Sequence, residues 1–126
     1  MITKSEILQY VESINGACYD CPFEGDFFST VLRLKKNKKW FGIIIHAPDN
    51  YFLRYGAPVP QDKTVLCLKC PPDLRDFLSA QYPAKILSAY HMNKKHWISA
   101  VLGSDIPLAD VKKLIDVSFE ITQKSK

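Results

Sequence analysis

Apolar residues in this chain recur at two spacings, and the switches between them divide it into eight elements. Ile7, Leu8, Val11 and Ile14 fall at helical spacing and form one stripe, which predicts a helix over residues 4–14. Thr3 and Glu6 fit a capping box in front of it, and Gly16 is a reasonable stop. Residues 15–26 read as a loop. A strand is predicted over 27–35, with Thr30, Leu32 and Leu34 on one face. A second is predicted over 39–47, where Trp40-Phe41-Gly42-Ile43-Ile44-Ile45 is rich in aromatic and β-branched residues. Pro48, Asp49, Asn50, Gly56, Pro58 and Pro60 then make 48–61 a loop. A third strand is predicted over 64–70. A second helix covers 73–81, with Leu74, Phe77 and Leu78 as its apolar face, and Tyr82-Pro83 closes it. Strands four and five are predicted over 86–92 and 96–102. Pro107 opens a last helix that runs to about Gln123, with Leu108, Val111, Leu114, Ile115, Ser118 and Ile121 or Thr122 facing inward. Gln123-Lys124-Ser125-Lys126 reads as a frayed tail.

The order is α-β-β-β-α-β-β-α. Strands joined by short turns pair antiparallel. One five-stranded antiparallel sheet with the helices on one face is the simplest way to bury three amphipathic helices. The expectation is an α+β two-layer sandwich, one domain over residues 1–126. Length agrees: 126 residues suit one domain, which buries roughly two thirds of the surface of its unfolded chain and needs no disulfide or metal to fold. Apolar content of 47% and charged content of 24% are those of an ordinary globular protein. The first six residues turn polar at once, no signal peptide is visible, and no apolar run approaches a membrane span. The expected location is the cytoplasm, without membrane contact.

Four cysteines form two CxxC pairs, Cys18-Tyr19-Asp20-Cys21 and Cys67-Leu68-Lys69-Cys70, the usual signature of structural zinc. Three features weigh against it. The gap of 45 residues is long, no glycine stands inside or right after either pair, and Cys67 and Cys70 lie three apart on a predicted strand, hence on opposite faces. The cysteines read as small buried hydrophobes in a reducing compartment. A thioredoxin-type site is disfavoured because Pro22 carries Cys21 into a loop rather than onto a helix N-terminus. No metal or cofactor is expected.

Net charge is +4 and the isoelectric point near 8.9, which permits an anionic partner without requiring one. The charge is concentrated. Lys35-Lys36-Asn37-Lys38-Lys39 puts four like charges into five residues at a hairpin tip, and Asn93-Lys94-Lys95 forms a second tip. Lysines on tips reach phosphates well, so Lys35, Lys36, Lys38, Lys39, Lys94 and Lys95 are the candidate contacts to DNA. The tips contain no arginine, and nothing on them reads bases, so binding would be nonspecific. The bland reading is that such lysines are solvated and guard strand edges.

His91, Asn93, His96 and Trp97 make a second cluster, with the histidines placed across strands four and five. It is suited to a phosphate, a small ligand or, as the least favoured of the three, a metal. The competing reading, which is favoured, has His91 and Asn93 holding the turn and Trp97 packing in the sheet. His46, Arg54 and Tyr55 lie at the 14-residue 48–61 loop, a place where function often resides. No Ser-His-Asp order, glycine-rich phosphate loop or paired-carboxylate motif is present, so no catalytic residue is assigned and an enzyme is not expected.

The stretch Tyr90-His91-Met92-Asn93-Lys94-Lys95-His96-Trp97 resembles the His-Leu/Met-Asn-Lys-x-His-Trp element of the MmcQ/YjbR family. Cys21-Pro22-Phe23, Leu68-Lys69-Cys70-Pro71-Pro72, Ile106-Pro107 and Ser118-Phe119 are similar to further family elements, in the same order. The chain departs from many members in its longer 48–61 loop and in Cys18. The resemblance implies the same α-β3-α-β2-α fold in a small bacterial cytoplasmic protein. It also implies a DNA-binding "double wing", the wings being the two hairpins. The alternative is a protein- or small-ligand-binding adaptor using the sheet face and the 48–61 loop.

Overall fold

The computed structural model describes residues 1–125. In chain order its elements are α1 (Lys4–Ser13), β1 (Ala17–Asp20), β2 (Thr30–Leu34), β3 (Trp40–His46), α2 (Asp49–Arg54), β4 (Thr64–Lys69), α3 (Pro72–Gln81), β5 (Ile86–Ser88), β6 (Trp97–Val101) and α4 (Leu108–Lys124). The strands form one antiparallel sheet in the order β1-β2-β3-β4-β6-β5. The fold is α+β, with six strands where five were expected. The extra strand is β1, a four-residue edge that follows Gly16 and pairs Ala17 with Leu34 through Asp20 with Val31. It lies in the segment read as a loop, and it is too short for its alternation to register.

One face of the sheet carries the main core. Leu32, Leu34, Ile44, Leu66, Leu68, Ile98 and Ala100 point to it. Ile7 and Val11 of α1, Leu78 of α3, and Val111, Leu114, Ile115 and Phe119 of α4 close over them. The capping box of α1 is formed as expected: the Glu6 amide donates to Thr3 Oγ1 at 3.2 Å, and the Thr3 amide donates to Glu6 Oε1 at 3.1 Å. Phe77, expected on the inner face of α3, is 62% exposed instead.

The other face is also covered, so the helices do not all lie on one side. Val31, Ile43, Val65, Cys67, Trp97 and Val101 pack there with Tyr51 and Phe52 of α2 and with Leu87 and Ala89. The segment 48–61, read as a loop, thus contains a helix. Its six residues are too few for periodicity to reveal, and the surrounding prolines mask it. The signal for a second layer stands in the strands themselves: β4 and β6 are buried on both faces nearly throughout, the pattern of central strands covered on two sides.

At the start of β3 the ladder slips. Leu32 pairs with Gly42 and Arg33 with Trp40, which leaves Phe41 without a partner. The bulge turns Phe41 to the main core, where its ring meets Phe119 edge-on at 5.3 Å. Gly42 beside it leaves room for this packing: a β-carbon there would lie 2.8 Å from Leu32 Cδ1 and 3.0 Å from Leu68 Cδ2, and the leucine ends would have to shift. The last helix continues through Lys124, so Gln123 and Lys124 are helical and not frayed; Lys126 of the expected tail lies outside the described residues.

Candidate nucleic-acid interface

The first lysine cluster is a tight turn. The Leu34 amide donates to the Lys39 carbonyl and the Lys38 amide to the Leu34 carbonyl, both at 2.9 Å. The Asn37 carboxamide accepts the Lys39 amide at 3.1 Å. Lys38 closes the turn in the left-handed region at φ 63°. Lys35, Lys36 and Lys38 are exposed. Lys39 folds back, and its ammonium donates to the carbonyl and hydroxyl of Ser125 at 3.3 and 3.4 Å. Among the described residues, none of these four lysines is in an ion pair.

The second cluster is not the hairpin tip that was expected. β5 stops at Ser88, paired with Ile98, and residues 89–96 form a longer connection. His91 and His96 therefore lie on no strand and do not face each other across a ladder. Asn93 organises the turn: its carboxamide oxygen accepts the Lys95 amide at 2.8 Å, and its carbonyl accepts the Trp97 amide at 3.0 Å. Arg75 of α3 fastens the turn from outside, donating to the Lys94 carbonyl at 2.9 Å. Trp97 is buried in the second core. His96 is exposed, and its carbonyl accepts the Cys70 amide at 2.8 Å. Lys94 and Lys95 are exposed.

The strand register puts the two clusters at one end of the sheet. Arg33 pairs with Trp40 at the start of β3, Gly42 with Leu68 at the end of β4, and Lys69 with Trp97 at the start of β6. Two strand spacings separate β3 from β6, roughly 10 Å. Lys69 fills the interval and was not expected as part of the site. Its ammonium sits 5.8 Å from the centre of the Trp97 ring. Burial, and then the nearby charge of Lys39, hold that ammonium below its ordinary range. The sequence signal was a lone lysine ending an otherwise apolar strand. Two acidic neighbours are already engaged, Asp76 by Arg75 at 3.1 Å and Glu120 by Lys124 at 3.4 Å. Asp73, in the first turn of α3, adds one carboxylate three residues beyond Cys70.

The remaining sequence candidates lie elsewhere. His46 stacks on Phe28 at 3.7 Å, with its Nδ1 2.9 Å from the Asp62 carbonyl, which secures the loop after α2. Arg54 and Tyr55 end α2, close to His91 and Lys94 but apart from His96. Cys67 and Cys70 enter the two separate cores, as their spacing requires. Cys67 Sγ lies 3.3 Å from Ser99 Oγ, and burial pushes its thiol up to about 11. Burial likewise pushes Cys70 up to about 11, against the pull of Arg75. No group of three or more His, Cys, Asp or Glu among the described residues is arranged to hold a metal ion. No described helix is long and apolar enough to cross a membrane.

The same architecture occurs in solved structures. A crystal structure of a protein from Pseudomonas syringae aligns with a TM-score of 0.79 and 28% identity, covering 96% of this chain and 99% of that one. A crystal structure from Deinococcus radiodurans aligns at 0.77 with 21% identity, covering 99% of this chain and 81% of that one, a likeness of fold alone. In sequence, the chain is 35% identical over 123 residues to the uncharacterised protein YyaQ of Bacillus subtilis, covering 98% of this chain and all of that protein. The YjbR family model matches residues 13–121, from the end of α1 into the last turns of α4. That match takes in the whole sheet and both lysine turns, and with the full-length alignment to YyaQ it establishes that the chain belongs to the YjbR family.

Proposed function

We propose that this protein binds nucleic acid in the cytoplasm through sequence-tolerant contacts to the phosphate backbone, with the basic end of the sheet as its contact surface. One observation carries the reading. Two lysine turns far apart in sequence meet at the same sheet end with Lys69 between them, so seven lysines are gathered at one end of the sheet. A row of flexible cations suits the regular phosphates of a duplex and supplies affinity through counterion release. It supplies no base readout, because Arg33 and Arg75 are tied to Asp20 and Asp76 at 2.6 and 3.1 Å. The reading assigns no catalytic residue. Competition between two labelled duplexes of unrelated sequence at low salt tests it: equal binding is expected, and either no binding or a strong preference for one duplex contradicts it.

A further inference from the structure

On the second face of the sheet, between α2 and the turn at residues 89–94, lies a cavity of about 420 Å³. That is within the range of small-molecule sites, roughly 300–1,000 Å³. Arg54, His91 and Lys94 form its polar wall, Tyr51, Tyr55 and Tyr90 its aromatic wall, and no aspartate or glutamate lines it. Neither Arg54 nor Lys94 is in an ion pair among the described residues. Nitrogen-bearing side chains from two separate segments thus line one cavity whose wall carries no carboxylate.

The aromatic wall is built before any ligand arrives. Tyr51 is buried, donates its hydroxyl to the Ser88 carbonyl, and meets Tyr55 and Tyr90 edge-on at 5.4 and 5.0 Å. Tyr55 and Tyr90 are only partly covered. His91 is held at φ 60°, with its ring 3.9 Å from that of Tyr90. The left-handed region is disfavoured for a residue with a β-carbon, so the surroundings impose this placement.

We infer that this cavity binds a small aromatic phosphate monoester, its phosphate held by Arg54, Lys94 and His91 and its ring against Tyr55 and Tyr90. A carboxylate would use one of these donors well. A phosphate, with three terminal oxygens and nearly two charges, engages all three, and the guanidinium fork of Arg54 suits it. A cavity of this size admits a mononucleotide-sized molecule and not a duplex. The site does not depend on the nucleic-acid reading, although Lys94 belongs to both surfaces.

Titration with adenosine monophosphate, followed through backbone amide shifts, tests the inference, with adenosine and inorganic phosphate as separate arms. The expected result is saturable shifts within residues 49–55 and 89–94, and clearly weaker binding of either half alone. Arg54→Ala should weaken binding about tenfold, as loss of a charge-assisted contact does, with partial recovery in Arg54→Lys. Arg54 is exposed, so both variants should keep the amide spectrum of the folded protein. Replacing Lys35, Lys36, Lys38 and Lys39 by Ala should leave this binding unchanged, which separates it from duplex binding. Shifts absent from these segments or confined to residues 35–39 would overturn the inference, as would inorganic phosphate matching the nucleotide or an Arg54→Ala variant that binds as well as the parent.

Discussion

Ser118 on α4 donates its hydroxyl proton to the carbonyl of Phe41, the residue that β3 carries in excess at its bulge. The same oxygen accepts the Lys69 amide at 2.9 Å. One buried serine thus serves two backbone groups that the sheet leaves unpaired where β3 begins and β4 ends. It ties α4 to the end of the sheet that carries the lysine turns.

Replacing this serine tests the tie. Ser118→Ala strands a buried carbonyl and a part-buried amide, and an unmet buried group costs on the order of 1–3 kcal/mol. Denaturant unfolding should show a loss of at least 1 kcal/mol, on the order of the lower value. An unchanged midpoint would mean that the bulge is satisfied in another way.

Lys38 offers a change of the opposite sign. Its backbone sits at φ 63°, where a β-carbon costs roughly 1–2 kcal/mol and glycine is at ease. Its amide and carbonyl make their bonds whatever the side chain is. Lys38→Gly should therefore raise stability by about 0.5–1 kcal/mol after the greater entropy of glycine in the unfolded chain is deducted. The same change removes one cation from the proposed surface, so thermal stability should rise while duplex affinity falls.

The thiols predict both reactivity and pH dependence. Cys21 is exposed and Cys18 half-buried, whereas Cys67 and Cys70 are buried with thiols pushed up to about 11. A thiol reagent at pH 8 should modify two cysteines readily and four only after denaturation. In the folded protein Cys67 and Cys70 hold their protons to higher pH than in the unfolded chain. Their contribution to stability is intact below pH 9 and declines as pH rises toward 11. Over that window the parent protein should lose more stability than the Cys67→Ala, Cys70→Ala double variant. Equal slopes would contradict the assigned burial.

Long periodic segments were legible from the sequence because their burial is one-sided. α1, with Thr3 and Glu6 capping it, and α4, with its stripe from Val111 to Ser118, follow from spacing alone. The two-sided elements were not. The apolar residues of β3 and β4 serve two cores, and α2 covers the second with only Tyr51 and Phe52 buried. The lysine turns stood out by charge density. That they share one sheet end is a matter of register, and that Lys69 lies between them follows only from strand order. Arg54 and Tyr55 are adjacent but lie far in sequence from His91 and Lys94, and no local pattern brings the two segments to one cavity.

Fluorescence anisotropy with a labelled duplex across a series of salt concentrations tests the proposed backbone contact most directly. Log affinity should fall linearly with log salt, with a slope of about −0.9 for each phosphate neutralised. Replacing Lys35, Lys36, Lys38 and Lys39 by Ala should flatten that slope, and replacing Lys94 and Lys95 should flatten it less. Stability should hardly change in either variant, because Lys35, Lys36, Lys38, Lys94 and Lys95 are exposed and Lys39 reaches only Ser125, just past the end of α4. Absence of binding at low salt, or a slope that ignores both sets of substitutions, would contradict the assignment of this sheet end to nucleic acid.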